Sequence, residues 1–170
     1  MAYNITLVRM RTHLTILGIV TPPKNQMSCG SCAAFSATAV HETCMARVGT
    51  PTSGLDISEQ QAIDCGYNGN SMNGCHGAYV TAYQGWMAGQ GGTVSHEAQY
   101  PYQDRDPNLS CQSNPKWDTG SKVTKAVLEY QCNEDRLKAL VYQYGAVSTG
   151  IYASDSGFGN YKSGVFNGCS

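Results

Sequence analysis

Eight cysteines in 170 residues constrain this chain more than any other feature, because each cross-link they form dictates which distant segments must meet. They stand at positions 29, 32, 44, 65, 75, 111, 132 and 169. Such a density points to an oxidising compartment. Two Asn-x-Ser/Thr triplets, Asn4-Ile5-Thr6 and Asn108-Leu109-Ser110, are compatible with a secretory route. The apolar run Leu14 to Val20 is too short to span a bilayer and contains Thr15 and Gly18. No leader precedes the domain, so the expectation is a processed or incomplete chain. A net charge of −1 and a pI of about 6.4 provide no electrostatic footprint for nucleic acid or for an anionic membrane surface.

Periodicity predicts a helix over 32–48, with Val40, Cys44 and Val48 recurring every fourth position and Gly49 at a left-handed cap position. Ala33, Ala34, Ala37 and Ala39 make it slim enough to lie deep in a core. Ser58-Glu59-Gln60-Gln61 reads as a capping box opening a short helix that ends near Cys65. A turn-rich stretch, Gly66 to Gly74, follows, and a third helix is predicted over 77–88. Asn133 is placed to cap a helix over about 134–143, with Leu137, Leu140, Val141 and Tyr144 on one face. Strands are predicted over 122–131 and from Ala146 to Tyr152, with another starting at Val165-Phe166. Helices first and strands later imply an α+β fold rather than alternating βαβ units. The 19 glycines, and 11 tyrosines against 3 phenylalanines, fit a loop-rich chain better than a helix bundle.

Chemistry concentrates in Gln26-Met27-Ser28-Cys29-Gly30-Ser31-Cys32-Ala33-Ala34-Phe35-Ser36. This segment resembles the signature of the papain and cathepsin family of cysteine proteases. Further segments are similar in order and rough spacing: Ser58-Glu59-Gln60 with Asp64-Cys65, Gly74-Cys75-His76-Gly77, Tyr100-Pro101-Tyr102 before Cys111, and Tyr161 to Gly164 before Cys169. The resemblance covers about residues 18–170. It implies a papain-like two-lobe fold. The helical lobe would span about 24–121, and residues 1–23 with 122–170 would belong to an incomplete β-barrel-like lobe. The competing reading of Cys29 and Cys32 as a redox or zinc pair lacks both the preceding βαβ strand and a second matched pair of ligands.

The resemblance makes Cys32 the nucleophile of an endopeptidase acting on protein or peptide substrates through a thioester. A thiol in the first turn of a helix faces the positive end of the macrodipole, which favours thiolate. The resemblance assigns the oxyanion donors to the backbone N–H of Cys32 and the amide of Gln26, and puts Gly77 and Ala78 along the substrate cleft. Gly150 would stand at a wall of the pocket for the residue two before the scissile bond, open to a bulky apolar side chain. The resemblance pairs Cys29 with Cys75 and Cys65 with Cys111. Each bridge closes a loop of about 46 residues, worth roughly 4 kcal/mol in chain entropy. Cys169 looks like half of a third bridge. Cys44 and Cys132 either bond to each other or leave Cys44 a plain buried thiol. No cofactor or metal is implied, and the compartment expected is lysosomal or extracellular.

The pattern also has departures. The family's histidine and asparagine fall about 130–150 residues after the nucleophile, at about positions 162–182 here. None of His13, His41, His76 and His96 matches that place. Little or no peptidase activity is therefore expected of this chain alone, with His and Asn supplied by a missing segment. An assembly partner or second fragment is then expected to cover exposed strand edges. A non-catalytic relative with a structural, assembly or mineral-associated role is the alternative. Ala33 replaces a tryptophan after the nucleophile, Ala78 a glycine of the substrate loop, and Met10-Arg11 lacks the tryptophan before the arginine. These changes bear on rate and specificity rather than on fold.

Overall fold

The computed structural model describes residues 2–4, 18–89, 94–107, 111, 123, 125–129, 132–152, 160, 162 and 163. Expectations at His13, Met10-Arg11, Asn108, Val165-Phe166 and Cys169 lie outside the described residues. In chain order the elements are β1 (Ala2–Asn4), α1 (Cys32–Arg47), α2 (Glu59–Gly66), α3 (Val80–Gly89), α4 (Glu134–Tyr144) and β2 (Gly150–Tyr152).

Helix α1 is the axis of the structure, and α2 and α3 pack against it. Its alanines make this possible. Ala33, Ala34 and Ala37 are almost wholly buried, and their small side chains let neighbours approach the helix closely. Leu55, Ile57, Ile63, Met72, Tyr83, Met87 and Val94 complete the core. The helix stops where expected: Val48 caps it and Gly49 takes φ +106°.

Helix α2 starts on a true cap, because Ser58 Oγ accepts the Gln61 N–H at 3.0 Å. The reciprocal half of the capping box does not form. Gln61 instead uses Oε1 to accept the Ser95 N–H at 2.6 Å, tying α2 to the following segment. Helix α3 begins three residues later than the pattern suggested. Residues 72–78 are held as a loop by a bridge between Met72 and Ala78 and by the Tyr79 N–H donating to Ser71 O.

Asn133 caps α4 by accepting the Arg136 N–H at 2.9 Å. Leu140 and Val141 are its buried residues, while Tyr144 is exposed. The predicted strand over 122–131 is not formed in its described part. Residues 123 and 125–129 are irregular, and Val127 and Leu128 are exposed. Alternating polarity prepares a segment for a ladder but cannot supply the partner. From Ala146 onward only Gly150–Tyr152 is strand, pairing antiparallel with β1 through Ala2↔Tyr152, Tyr3↔Ile151 and Asn4↔Gly150. The stretch before it lies on α1 instead, where Ser148 Oγ donates to Ser36 O at 3.1 Å.

Candidate active site

Cys32 is the first residue of α1, partly exposed, and its sulfur is in no disulfide. Ser31, at the N-cap position, makes no side-chain cap bond. Its hydroxyl turns away to share a 3.0 Å hydrogen bond with the Tyr102 hydroxyl. The mouth of the helix is therefore not closed by its own N-cap side chain, which suits a site meant to receive negative charge.

The turn before the helix is held from several directions. Gln26 Nε2 donates to Cys29 O at 2.8 Å, which folds the amide back toward the helix start. A primary amide has two N–H donors, so this bond engages only one of them. Gly30 donates its N–H to Cys75 O at 3.0 Å. A Cβ on Gly30 would lie 2.3 Å from that oxygen, so only glycine allows this approach. Disulfides join Cys29 to Cys75 and Cys65 to Cys111.

Among the described residues, Met27 (φ +53°) and Asp104 (φ +50°) are the non-glycine residues in the left-handed region, and both belong to this junction. Each such conformation costs roughly 1–2 kcal/mol. Asp104 Oδ1 accepts the N–H groups of Ser28 (3.0 Å) and Cys29 (2.8 Å), and Oδ2 accepts the Ser28 hydroxyl at 2.7 Å. The Ser28 hydroxyl above all holds the Asp104 carboxyl below the usual carboxylate range. Tyr102 donates its hydroxyl to Gln26 O at 2.7 Å, and its ring meets Phe35 edge-on at 5.0 Å. The segment carrying both residues is fastened to α2. Gln103 N–H donates to Gln60 Oε1, and Tyr100 Oη donates to Asp64 Oδ2.

Upstream, Lys24 fixes the approach to the turn. Its ammonium lies 2.9 Å from both Glu42 and Glu59, 2.7 Å from Asp56, and donates to Ile57 O at 2.8 Å. Burial opposes the Lys24 charge, but the Glu59 and Glu42 carboxylates outweigh it and raise its pKa. Burial pushes the Glu59 carboxyl up to about 7, against the pull of Lys24 and Thr38.

The other expected site residues are Gly77, Ala78 and Gly150. His76 bridges to Gly30, which brings Gly77 (φ +96°) and Ala78 alongside the turn. Gly150 begins β2, two residues beyond Ser148, which is bonded to Ser36. Ser36 is four residues after Cys32 and shares its helix face.

The described histidines do not gather at Cys32. His41 is buried on α1 about 13 Å along the axis from Cys32, and burial lowers its pKa to about 4. His76 is exposed and turns to Asp106 at 3.5 Å. His96 bridges to Ile57. No metal-holding cluster occurs among the described residues.

Cys44 donates to Tyr144 O at 3.5 Å and Cys132 to Asn133 O at 3.6 Å. Those two acceptors lie at opposite ends of α4, about 16 Å apart. The structure thus leaves both cysteines as thiols. Burial raises the Cys44 pKa. A bond between them would require α4 to move.

A thiol leading a buried helix, with an anchored amide beside it, is the layout of hydrolases that use a cysteine nucleophile. The chain belongs to the papain family of cysteine proteases: the model of that family matches residues 10–170. It is 35% identical over 150 residues to digestive cysteine proteinase 1 of Homarus americanus, covering 88% of this chain and 44% of that protein. It is 36% identical over 152 residues to cathepsin S of Mus musculus, covering 88% of this chain and 43% of that protein. Among solved structures, digestive procathepsin L2 proteinase from Tenebrio molitor larval midgut superposes with a TM-score of 0.77 at 31% identity, covering 92% of this chain and 48% of that one. The chain spans less than half the length of these relatives. Its fold is papain-like and α+β. Its disulfides and its kinship with cathepsins and digestive proteinases place it in a lysosomal or extracellular setting. No described helix is long and apolar enough to cross a membrane.

Proposed function

We propose that this chain carries the nucleophile half of a papain-type endopeptidase site. Cys32 attacks a peptide carbonyl as thiolate. The C–N bond breaks as the thioester forms, and water then hydrolyses the thioester. The developing oxyanion sits between the backbone N–H of Cys32 and the second N–H of Gln26. One such donor is worth about 10²–10³ in rate. Gly77 and Ala78 line the cleft, and Gly150 leaves room for a bulky apolar side chain. The division into a helical lobe, about 24–121, and a β lobe belongs to the same proposal. The observation that carries it is Cys32 leading α1 with the Gln26 amide tethered to Cys29 O.

The departing amine needs a proton, and the resemblance assigns it to a histidine oriented by an asparagine. His41 is too far along α1, His76 faces Asp106, and the backbone of His96 pairs with Ile57, just ahead of α2. We therefore expect peptidyl epoxide to label Cys32 while fluorogenic peptide turnover stays near background. Robust turnover abolished by alkylating Cys32 would overturn the expected inactivity. Failure of the epoxide to label Cys32 in preference to Cys44 and Cys132 would overturn the nucleophile.

A second reading, a non-catalytic scaffold or assembly role, is favoured by one observation. A cavity of about 800 Å³ lies between α1, α3, α4 and residues 123 and 125–129, with Val127, Leu128 and Tyr144 exposed nearby. Cover from a second fragment or partner is part of that reading, and sedimentation of the pure chain checks it.

A further inference from the structure

We propose that Asp104 and Tyr102 are positioning residues that clamp the turn before Cys32 and so hold the Gln26 amide in register with the sulfur. The inference rests on the reading of Cys32 and Gln26 given above and deepens it. Tyr102 reaches across 76 residues of sequence to the carbonyl of Gln26, and the same hydroxyl meets Ser31, the residue before Cys32. Asp104 takes the three donors of Ser28 and Cys29 that lie between those two points. Gln26, Ser28, Cys29 and Ser31 are thus gripped by one short segment. That segment is itself anchored to α2 through Gln103 and Tyr100.

Backbone strain supports a role beyond packing. Met27, one residue before the Ser28-Cys29 pair that Asp104 binds, and Asp104 itself both take left-handed backbone. Strain of this kind persists only where the surroundings over-determine it, and it concentrates where geometry must be exact to fractions of an ångström. Asp104 is only partly buried, and its carboxylate holds the 28–29 backbone and the Ser28 hydroxyl. The anchored glutamine is then pre-organised, so its amide need not be reoriented when charge develops.

The test separates sulfur exposure from amide position. A small haloacetamide reads the Cys32 thiol alone. A dipeptidyl aldehyde adds the thiol across its carbonyl, forming the C–S bond as the thiol proton passes to the carbonyl oxygen, and that oxygen occupies the place of the oxyanion. We expect Gln26→Ala to weaken aldehyde binding about tenfold or more. Tyr102→Phe keeps the ring against Phe35, and Asp104→Gly relieves the left-handed backbone; each should weaken binding at least threefold while the haloacetamide rate stays within twofold. Combined with Gln26→Ala, neither should weaken binding further, because residues acting through one group are not additive. Asp104→Asn, which tolerates the left-handed conformation and keeps an acceptor, should restore part of the loss.

Unchanged aldehyde binding in both variants overturns the clamp. So does an equal loss in the Gln26→Ala background, which would show action by another route. If Gln26→Ala itself leaves aldehyde binding intact although Cys32 reacts, the oxyanion assignment fails and the clamp with it. If Cys32 reacts with neither reagent, the nucleophile assignment has failed.

Discussion

The two sides of α1 are built differently. On one side, α2, α3 and residues 94–107 close on it, and this side holds two disulfides, the partly buried ion cluster at Lys24 and a core of buried side chains. On the other, α4 and residues 146–150 meet it through a few polar contacts, such as Cys44 with Tyr144 O and Arg47 with Gln143 O. The cavity lies on this side. The turn carrying Gln26 belongs wholly to the first side. The lesson is that positional precision at Cys32 is supplied by cross-linked, polar-satisfied structure, while the second side is free to be loose without disturbing the sulfur.

Cysteine replacement tests this contrast most strongly. Cys29→Ser with Cys75→Ser removes a link between positions 46 apart and is expected to cost about 4 kcal/mol. Cys44→Ser or Cys132→Ser, on the looser side, is expected to cost under about 1 kcal/mol, since each loses one weak thiol contact. Urea unfolding reads both. Comparable losses would erase the difference between the two sides.

The pH dependence of stability is the next largest effect, because the two sides carry titrating groups of opposite sense. Glu59, on the first side, is raised from 4.5 to about 7. The folded state therefore binds its proton more tightly than the unfolded state. Its stabilising contribution is complete below pH 4.5 and disappears as pH rises through about 7. His41 lines the cavity and is lowered from 6.5 to about 4. Its contribution is complete above pH 6.5 and disappears as pH falls through about 4. Each shift corresponds to about 3 kcal/mol, so the two slopes nearly cancel between pH 4.5 and 6.5. The wild-type stability curve should be almost flat there. His41→Leu should leave a curve that falls by about 3 kcal/mol from pH 4.5 to 7, and Glu59→Gln one that rises from pH 4 to 6.5. Denaturant midpoints at four or five pH values decide it. A His41→Leu curve as flat as wild type would mean that Glu59 titrates normally despite its burial.

Those carboxylates also mark where sequence reasoning stopped. Helix α1 was legible because Val40, Cys44, Val48 and Gly49 are local signals, and the caps at Ser58 and Asn133 were legible for the same reason. Glu42 and Glu59 carry no local sign of burial in their helices. Their burial makes sense only with Lys24, which is 18 and 35 residues away in sequence. Asp104 was missed likewise, since its partners are 75 and 76 residues distant and nothing local announces a left-handed aspartate. A clue was available in Lys24 itself, a lone cation just ahead of the motif with two acidic residues set among buried helix positions. At 122–131 the expected strand does not form in the described residues 123 and 125–129, because a strand needs a partner as well as a suitable segment. Cys44 and Cys132 stayed open until α4 had a length, because sequence spacing carries no information about which end of a helix a thiol meets.

The smallest expected effect compares one device on both sides. Ser58 and Asn133 each cap a helix by accepting a backbone N–H three residues on. Ser58 is 1% exposed, and its hydroxyl also donates to Tyr100 O at 2.5 Å. Ser58→Ala therefore leaves a buried acceptor and a buried donor unsatisfied and should cost about 2 kcal/mol. Asn133 is exposed, so water can replace its side chain, and Asn133→Ala should cost about 0.5–1 kcal/mol. Equal losses would mean that α4 is held as firmly as α2, and the cavity beside it would then have to be rigid rather than merely underfilled. A larger loss at Ser58 with dipeptidyl-aldehyde binding at Cys32 unchanged would separate stability on that side from geometry at the site, leaving Asp104 and Tyr102 as the contacts that set the geometry.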